Sequence, residues 1–385
     1  MPTACINFAC MTLSSISILN FKNIVESSLS FSSNLNCFIG DNGMGKTNIL
    51  DAIYYLSFCK SCNVQGDMAI LRHGADFMLV QGKYERRQEQ EDVVIGFKPG
   101  KKKNVKRNGK EYKKLSEHIG LLPLVMVSPM DWELVRGTGE ERRKFMDQII
   151  SQSNKEYMDC LIRYGKGIEN RNAMIRQGFR DPILFETVET AICKAAAYIH
   201  SVRCSWIEEF SPIFMNYYRS ISNSAETVSL KYRSHLNDMT MEELLSHNRE
   251  KDMVMGYTTG GLHRDDIELM LNSHPMRKIG SQGQCKTYTV AMRLAQYDFL
   301  KKTNGITPLL LLDDIFDKLD AKRVESIIRV VSDDTFGQIF ITDTNRTHLD
   351  NIIRSIGKDY KMFKVENGDC REIESGKEMI DYEKE

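Results

Sequence analysis

The sequence predicts an α/β protein whose sheet domain is split by a mainly α-helical insertion, and three observations predict it. "FIGDNGMGKTN" (Phe38–Asn48) places G-x-x-x-x-G-K-T, Gly40 to Thr47, between an apolar strand and a helical pattern. Toward the C-terminal end, apolar strands alternate with helices, the pattern of a parallel sheet buried on both faces. Between these parts, from about residue 140, the periodicity is helical. The expected division is 12–135 for the N-terminal part of the α/β domain, 136–254 for the inserted helical arm, and 255–375 for the C-terminal part.

The elements follow in order. Alternation in "SSISILNF" and the apolar run "LNCFI" predict two strands, the second ending at the glycine loop. Ile49, Ile53 and Leu56 recur at helical spacing, so a helix follows the loop. "FMLVQGKYE" and "DVVIGFKP" read as strands, and Asn108-Gly109 is a hairpin turn between "KNVKR" and "KEYKK". The strand "LPLVMV" ends at Ser128-Pro129. "EERRKFMDQIISQ" and residues 154–176 read as helices, and a longer one opens at Pro182, a favourable first-turn residue. In it Leu184, Val188, Ala191, Ala195, Tyr198 and Val202 step by fours and threes, which fits a buried face or a short coiled-coil-like seam. After "VSLKYRS" and a short helix at Glu242 to Leu245, the strand "DIELML" is expected to join the parallel sheet. A helix from Gln282, strand "PLLLLDD", helix "AKRVESIIRVV", strand "QIFIT" and helix "HLDNIIRSI" complete it.

Composition sets limits on function. Hydrophobic residues are 42% and charged residues 27% of 385, as in ordinary soluble globular proteins. Formal net charge is zero, so a polyanion would have to be bound by a local basic patch. No apolar run approaches the ~20 residues of a membrane span, and "MPTACINFACM" lacks the basic start and long apolar core of a signal peptide. The expectation is a cytoplasmic protein with no membrane partner. Ten cysteines are scattered rather than framed, consistent with reduced thiols. Cys59-Lys60-Ser61-Cys62 lacks the second ligand pair of a structural zinc site and reads as thiols near a helix end.

The glycine loop opens a helix, where backbone N–H groups and the helix dipole favour phosphate. Gly40, Asp41, Asn42, Gly43, Met44, Gly45, Lys46, Thr47 and Asn48 are therefore candidate ATP-binding residues. Lys46 would reach the β- and γ-phosphates, and Thr47 would offer a hydroxyl to Mg²⁺. In "PLLLLDDIFDKLD" a leucine strand delivers Asp313, a candidate Mg²⁺ carboxylate, and Asp314, placed to orient or deprotonate an attacking water. "SQGQ" (Ser281, Gln282, Gly283, Gln284) opens a helix shortly before that strand. Alone it is an ordinary helix cap. Between a phosphate loop and a D-D strand it resembles the signature of ATP-binding-cassette ATPases, which touches the γ-phosphate held by a second subunit. "KKKNVKRNGKEYKK" (Lys101 to Lys114) holds eight basic residues and one acid. It fits a solvated hairpin or a phosphate track, with Lys101, Lys102, Lys103, Lys106, Arg107 and Lys110 as candidate DNA contacts.

With these motifs in order, the sequence resembles the RecF family, SMC-related cassette-type ATPases of bacterial recombinational repair. "LNFKNI", "GDNGMGKTNILDAIYYLSFCKS", "NGKEYKK", "VMVSPMDWELVRGTGEERRKFMD", "GGLHRDD", "SQGQCKT" and "LLLLDDIFDKLD" carry the resemblance, from about Leu13 to about Thr344. It implies a cassette ATPase head with an inserted helical domain, ATP and Mg²⁺, an ATP-dependent homodimer, and a nucleotide contact from Asp320 in the loop crossing to the partner. It also implies binding to DNA gaps where single and double strands meet, RecO and RecR as partners, loading of the RecA recombinase, and slow hydrolysis that resets the dimer. The chain departs from the family pattern at Leu262, where proline is usual, and at Lys318, where glutamate is common. Asp343-Thr344 stands where cassette transporters place a γ-phosphate-sensing histidine. His263 and Arg264 fit either pairing with Asp265 or Asp266 or a place near the nucleotide. Arg142 and Arg143 fit either a solvated helix face or a link to the arm. The alternatives to a repair ATPase are a transporter ATPase subunit and an SMC-like DNA-binding module without significant turnover.

Overall fold

The computed structural model describes residues 9–222, 226–316, 321–333 and 335–376. Strand β1 (Met11–Phe21) buries Met11 and Leu13, then Ile16 and Ile18. The alternation changes phase because the register with its neighbour shifts between Leu13 and Ser15, a bulge that turns the next apolar residues to the same core. After β2 (Ile24–Ser30) comes β3 (Leu35–Ile39), then helix α1 (Lys46–Phe58). β4 (Met78–Arg86), β5 (Glu89–Phe97), β6 (Asn104–Arg107), β7 (Lys110–Glu111) and β8 (Leu124–Val127) follow, with the expected hairpin turn at Asn108-Gly109.

The helical part contains α2 (Trp132–Arg136), α3 (Gly139–Ser153), α4 (Lys155–Arg176) and α5 (Pro182–Ser222). Next are β9 (Val228–Arg233), α6 (Met241–His247), α7 (Arg249–Met255), β10 (Asp266–Leu271), β11 (His274–Pro275) and α8 (Met276–Ile279). α9 (Gln282–Asn304) leads back to β12 (Leu309–Asp313), α10 (Ala321–Val331), β13 (Ile339–Asp343) and α11 (Arg346–Ile356). A terminal hairpin, β14 (Tyr360–Glu366) and β15 (Asp369–Gly376), completes the described chain.

The chain forms two compact units. The first holds residues through Met130, Ser220–Ser222 and those from Arg293 onward. Its two six-stranded sheets have the orders β2-β1-β4-β5-β6-β7 and β15-β14-β3-β13-β12-β8. The first is antiparallel throughout. The second is parallel except for the β14–β15 pair. α1 lies within the core that both sheets share, with Leu50, Ile53, Tyr55 and Leu56 fully buried. Fully buried Gln338 ties the sheets together, accepting from Leu13 N–H at 2.7 Å and donating to Leu13 O and Ser32 O at 2.9 and 2.7 Å.

The second unit spans Asp131–Arg219 and the stretch up to Met292. Here the fold departs from two expectations. "DIELML" does not enter the parallel sheet; as β10 it lies between β11 and β9 in a three-stranded antiparallel sheet. Its apolar run looks like a strand buried on both faces, but its pairing partner is "VSLKYR", and residues 255–292 accordingly pack with the helical unit. The buried face of α5 is Phe185, Ile192, Ala195, Ala196 and Ile199, whereas Leu184 is 45% exposed. This is the expected seam rotated by one residue, because the larger Phe185 and Ile192 bury more apolar surface than Leu184 and Ala191 would. Among the described residues no helix is long and apolar enough to cross a membrane.

Candidate functional site

Strand order β3-β13-β12 brings three parallel C-terminal ends side by side, the crevice where open α/β sheets bind ligands. β3 ends in the glycine loop and β12 ends at Asp313. β13 lies between them, its Thr342 opposite Asp313 and its Asp343 opposite Ile39.

The loop's shape needs its glycines. Gly45 caps α1 at φ 111°, a left-handed conformation, and a Cβ there would meet Asn23 Nδ2 at 2.7 Å. A Cβ on Gly40 would lie 2.4 Å from Val365 O. Two further braces act on Met44 O, which accepts from Gly368 N–H at 2.8 Å and from Asn23 Nδ2 at 3.3 Å. Asn48 Nδ2 donates in turn to Asn23 Oδ1 at 2.7 Å. Asp41, Asn42 and Gly43 form the exposed tip. Lys46 is buried, and its ammonium donates to Gly40 O at 2.7 Å and Asp41 O at 3.2 Å, so it is held inside the loop. No acid of α1 itself occupies its first turn, where the helix dipole is positive.

Thr47 Oγ1 lies 3.0 Å from both carboxylate oxygens of Asp313. Thr342 Oγ1 donates to Asp313 Oδ1 at 2.8 Å and accepts from Asp314 N–H at 3.0 Å. One hydroxyl thus contacts the Asp313 carboxylate and the Asp314 backbone. Burial pushes the Asp313 carboxyl up to about 6, opposed by the Thr342 and Thr47 hydroxyls and reinforced by Asp314. A buried carboxylate next to a threonine hydroxyl is an oxygen donor set that fits Mg²⁺, whose charge would reverse that upward shift. Asp314 is half-buried with φ 42°. Thr342, Asn23 and Gly368 were not identified from sequence; the only signal for Thr342 is its position at the end of a strand adjacent to β12.

The C-x-x-C stretch is the end of α1. Cys59 is the left-handed C-cap at φ 53°, and Cys62 N–H donates to buried Asp51 at 2.7 Å. Asp51 is also paired with Lys22 at 2.7 Å. Burial pushes the Cys59 thiol up to about 12, so it is not a ready thiolate.

In the second unit "SQGQ" caps α9. Ser281 N–H donates to Gln284 Oε1 at 2.7 Å, and Gln284 N–H donates to Ser281 Oγ at 3.2 Å, a reciprocal capping box. Gln284 Nε2 donates to Glu226 Oε1 at 2.7 Å, so its amide is anchored within its own unit, while Ser281 and Gln282 are exposed and Gly283 is half-buried. The "GGLHRDD" acids are paired, but not with Arg264. Arg203 reaches Asp265 at 2.6 Å, and Arg142 makes a two-pronged contact with Asp266 at 2.7 and 3.0 Å. Arg143 donates to Asp265 O at 2.6 Å, so both arginines of "EERRKF" fasten this loop rather than forming a solvated face. His263 sits between Tyr164 OH and Thr258 O, each at 3.0 Å, and burial pushes its pKa down. Arg264 is exposed against the Tyr257 ring.

The basic hairpin divides into two sets. Lys101, Lys102, Lys106 and Lys110 are exposed. Lys103 and Arg107 are engaged within the protein: Lys103 pairs with Asp67 at 2.8 Å, and Arg107, its side chain 37% exposed, pairs with buried Glu91. Each supplies a counter-charge to a carboxylate that is wholly or partly withdrawn from water. Asp320 and Lys318 lie outside the described residues.

The family model of the RecF/RecN/SMC N-terminal domain matches residues 12–370. The chain is 51% identical to the DNA replication and repair protein RecF of Bacteroides fragilis, covering 94% of this chain and 99% of that one. It is 48% identical to the protein of that name in Porphyromonas gingivalis, over 93% and 99%. A solved structure of the recombination mediator protein RecF-ATP in the RecFOR pathway superposes with a TM-score of 0.85 at 26% identity, covering 95% and 99%. The Smc head domain of Pyrococcus furiosus, at 15% identity and a TM-score of 0.57, shares the fold, with 95% and 96% covered. The chain therefore belongs to the RecF family, DNA replication and repair ATPases built on the ATP-binding-cassette head with a large helical insert.

Proposed function

We propose that this chain is an ATP-gated DNA-binding protein of recombinational repair and replication restart. Two copies close on ATP, the closed dimer holds DNA where single and double strands meet at a gap, and slow hydrolysis reopens it. The supporting observation is the run of contacts from Thr47 of the glycine loop through Asp313 and Thr342 to the Asp314 backbone, a hydroxyl–carboxylate pair suited to a cation with a second acid next to it in the chain. The site would take Mg²⁺, whose charge would offset that of the phosphates. Thr47 and Asp313 would hold it, Lys46 would pair with the β- and γ-phosphates, and residues Gly40 to Asn48 would wrap the phosphate chain with backbone N–H groups. Asp314 would orient and deprotonate the attacking water. The name RecFOR, carried by the solved relative, supports RecO and RecR as partners. Loading of RecA onto single-stranded DNA is the expected outcome. The cytoplasm is the expected compartment.

The signature assignment has its own test. Ser281 is exposed at the start of a 23-residue helix with no acid in its first turn, a surface suited to a γ-phosphate brought by a second copy. Ser281→Arg should leave ATP binding by the monomer intact and abolish ATP-induced dimers in sedimentation. A variant that still dimerises with ATP removes "SQGQ" from the interface.

The DNA reading rests on the exposed lysines of the hairpin. Reversing Lys101, Lys102, Lys106 and Lys110 to glutamate should lower affinity for gapped duplex. The slope of log affinity against log salt should flatten by about 0.9 for each phosphate the protein no longer neutralises. An unchanged slope would assign these lysines to solvation alone.

A further inference from the structure

The segment that carries the exposed lysines also grips the far end of the phosphate-loop helix. Lys103 Nζ donates to Cys59 O, lies 2.8 Å from Asp67 Oδ1 and sits 5.1 Å from the centre of the Tyr55 ring. Tyr55 OH donates to the same Asp67 oxygen at 2.9 Å. His118 Nε2 lies 2.6 Å from Leu56 O. His118 is fully buried, burial pushes its pKa down, and Nε2, facing a carbonyl oxygen, is the donor. Tyr112, at the base of the hairpin, packs edge-on against His118 at 5.4 Å between ring centres.

Leu56 and Cys59 belong to the last turn and C-cap of α1. An α-helix leaves its last four carbonyls without intrahelical donors. Two side chains from residues 101–118 supply donors here, and Lys103 also places a positive charge at the negative end of the helix dipole. α1 has 13 residues, about 20 Å at 1.5 Å each, and 11 of them are buried. A helix packed this closely moves as one body rather than bending. Its other end carries Lys46 and Thr47.

We propose that Lys103, clamped on Asp67, Tyr55 and Cys59 O, couples DNA engagement at the hairpin to nucleotide affinity at the phosphate loop. The proposal rests on the reading that Lys101, Lys102, Lys106 and Lys110 bind DNA phosphates. Lys101 and Lys102 immediately precede Lys103, so phosphates that order them favour the clamped position. α1 carries that preference to Lys46. By linkage, nucleotide must then raise DNA affinity by the same factor.

The test is to titrate the full-length protein with a non-hydrolysable ATP analogue, with and without saturating gapped duplex. DNA should raise analogue affinity in the parent by a factor in the ~5–150-fold range of allosteric coupling. In Lys103→Met the factor should fall below about 2, with DNA affinity nearly kept because this side chain is only 12% exposed. Lys103→Arg, which keeps donor and charge, should restore it. Asp67→Asn, which unloads the clamp from the other side, should reduce it and serves if Lys103→Met fails to fold. A Lys103→Met protein that binds DNA and keeps the parent's factor would overturn the coupling while leaving the hairpin reading in place. So would a variant that loses thermal stability with the factor intact, since that is a structural role only. Unchanged DNA affinity on reversing Lys101, Lys102, Lys106 and Lys110 would overturn both. A parent with no coupling at all would overturn the proposal outright.

Discussion

Replacing Asp314 with asparagine is expected to lower ATP hydrolysis by about 10²–10⁴-fold while ATP binding survives. The backbone tolerates the substitution for a structural reason. Asp314 sits at φ 42°, a left-handed conformation that asparagine tolerates better than most residues, and its N–H is held by Thr342 Oγ1 at 3.0 Å. The variant therefore keeps the turn and the Thr342 contact to the backbone while it removes the Asp314 charge. Alanine would confound the result with backbone strain. Aspartate is one methylene shorter than the glutamate usual in cassette transporters, so its reach to a water is less direct and the parent itself should turn over slowly. Single-turnover hydrolysis with prebound ATP measures the effect. Equal rates in parent and variant would remove Asp314 from the chemistry.

Lys46→Ala is expected to weaken ATP binding by at least ~10²-fold. Charge-assisted hydrogen bonds contribute about 1.5–3 kcal/mol each, and the ammonium is placed to make one to each of two phosphates. It is the loop's only fixed cation, and it is already directed inward by Gly40 O and Asp41 O. Calorimetric titration with ATP measures the loss, and a circular dichroism melt separates it from unfolding. Nucleotide affinity unchanged from the parent would refute the assignment of this loop.

The phosphate loop and the D-D strand were legible because their geometry requires adjacent residue types. A glycine turn, a lysine and a hydroxyl must follow one strand, and two acids must end another. Thr342 was not legible in this way, since it meets Asp313 only through pairing of strands 29 residues apart. Asn23 and Gly368 brace Met44 O from opposite ends of the chain, which no local pattern encodes.

The basic run shows the same limit from the other side. Eight cations in fourteen residues look equivalent in sequence. Asp67 and Glu91, which sort Lys103 and Arg107 from the rest, lie on other segments. "DIELML" failed for a related reason. An apolar run specifies burial, but the pairing strand decides which sheet receives it, and β9 precedes it across α6 and α7. The helical seam was displaced by one residue because spacing fixes a helix's period better than its phase.

Sedimentation velocity of the Asp314→Asn protein, with and without ATP and with and without gapped duplex, tests the central claim most directly, because this variant separates closure from hydrolysis. A monomer without nucleotide, a dimer with ATP, and a dimer bound to DNA that persists as long as ATP is present are the predicted results. A protein that stays monomeric at saturating ATP while it binds gapped DNA equally well with and without nucleotide would contradict the account.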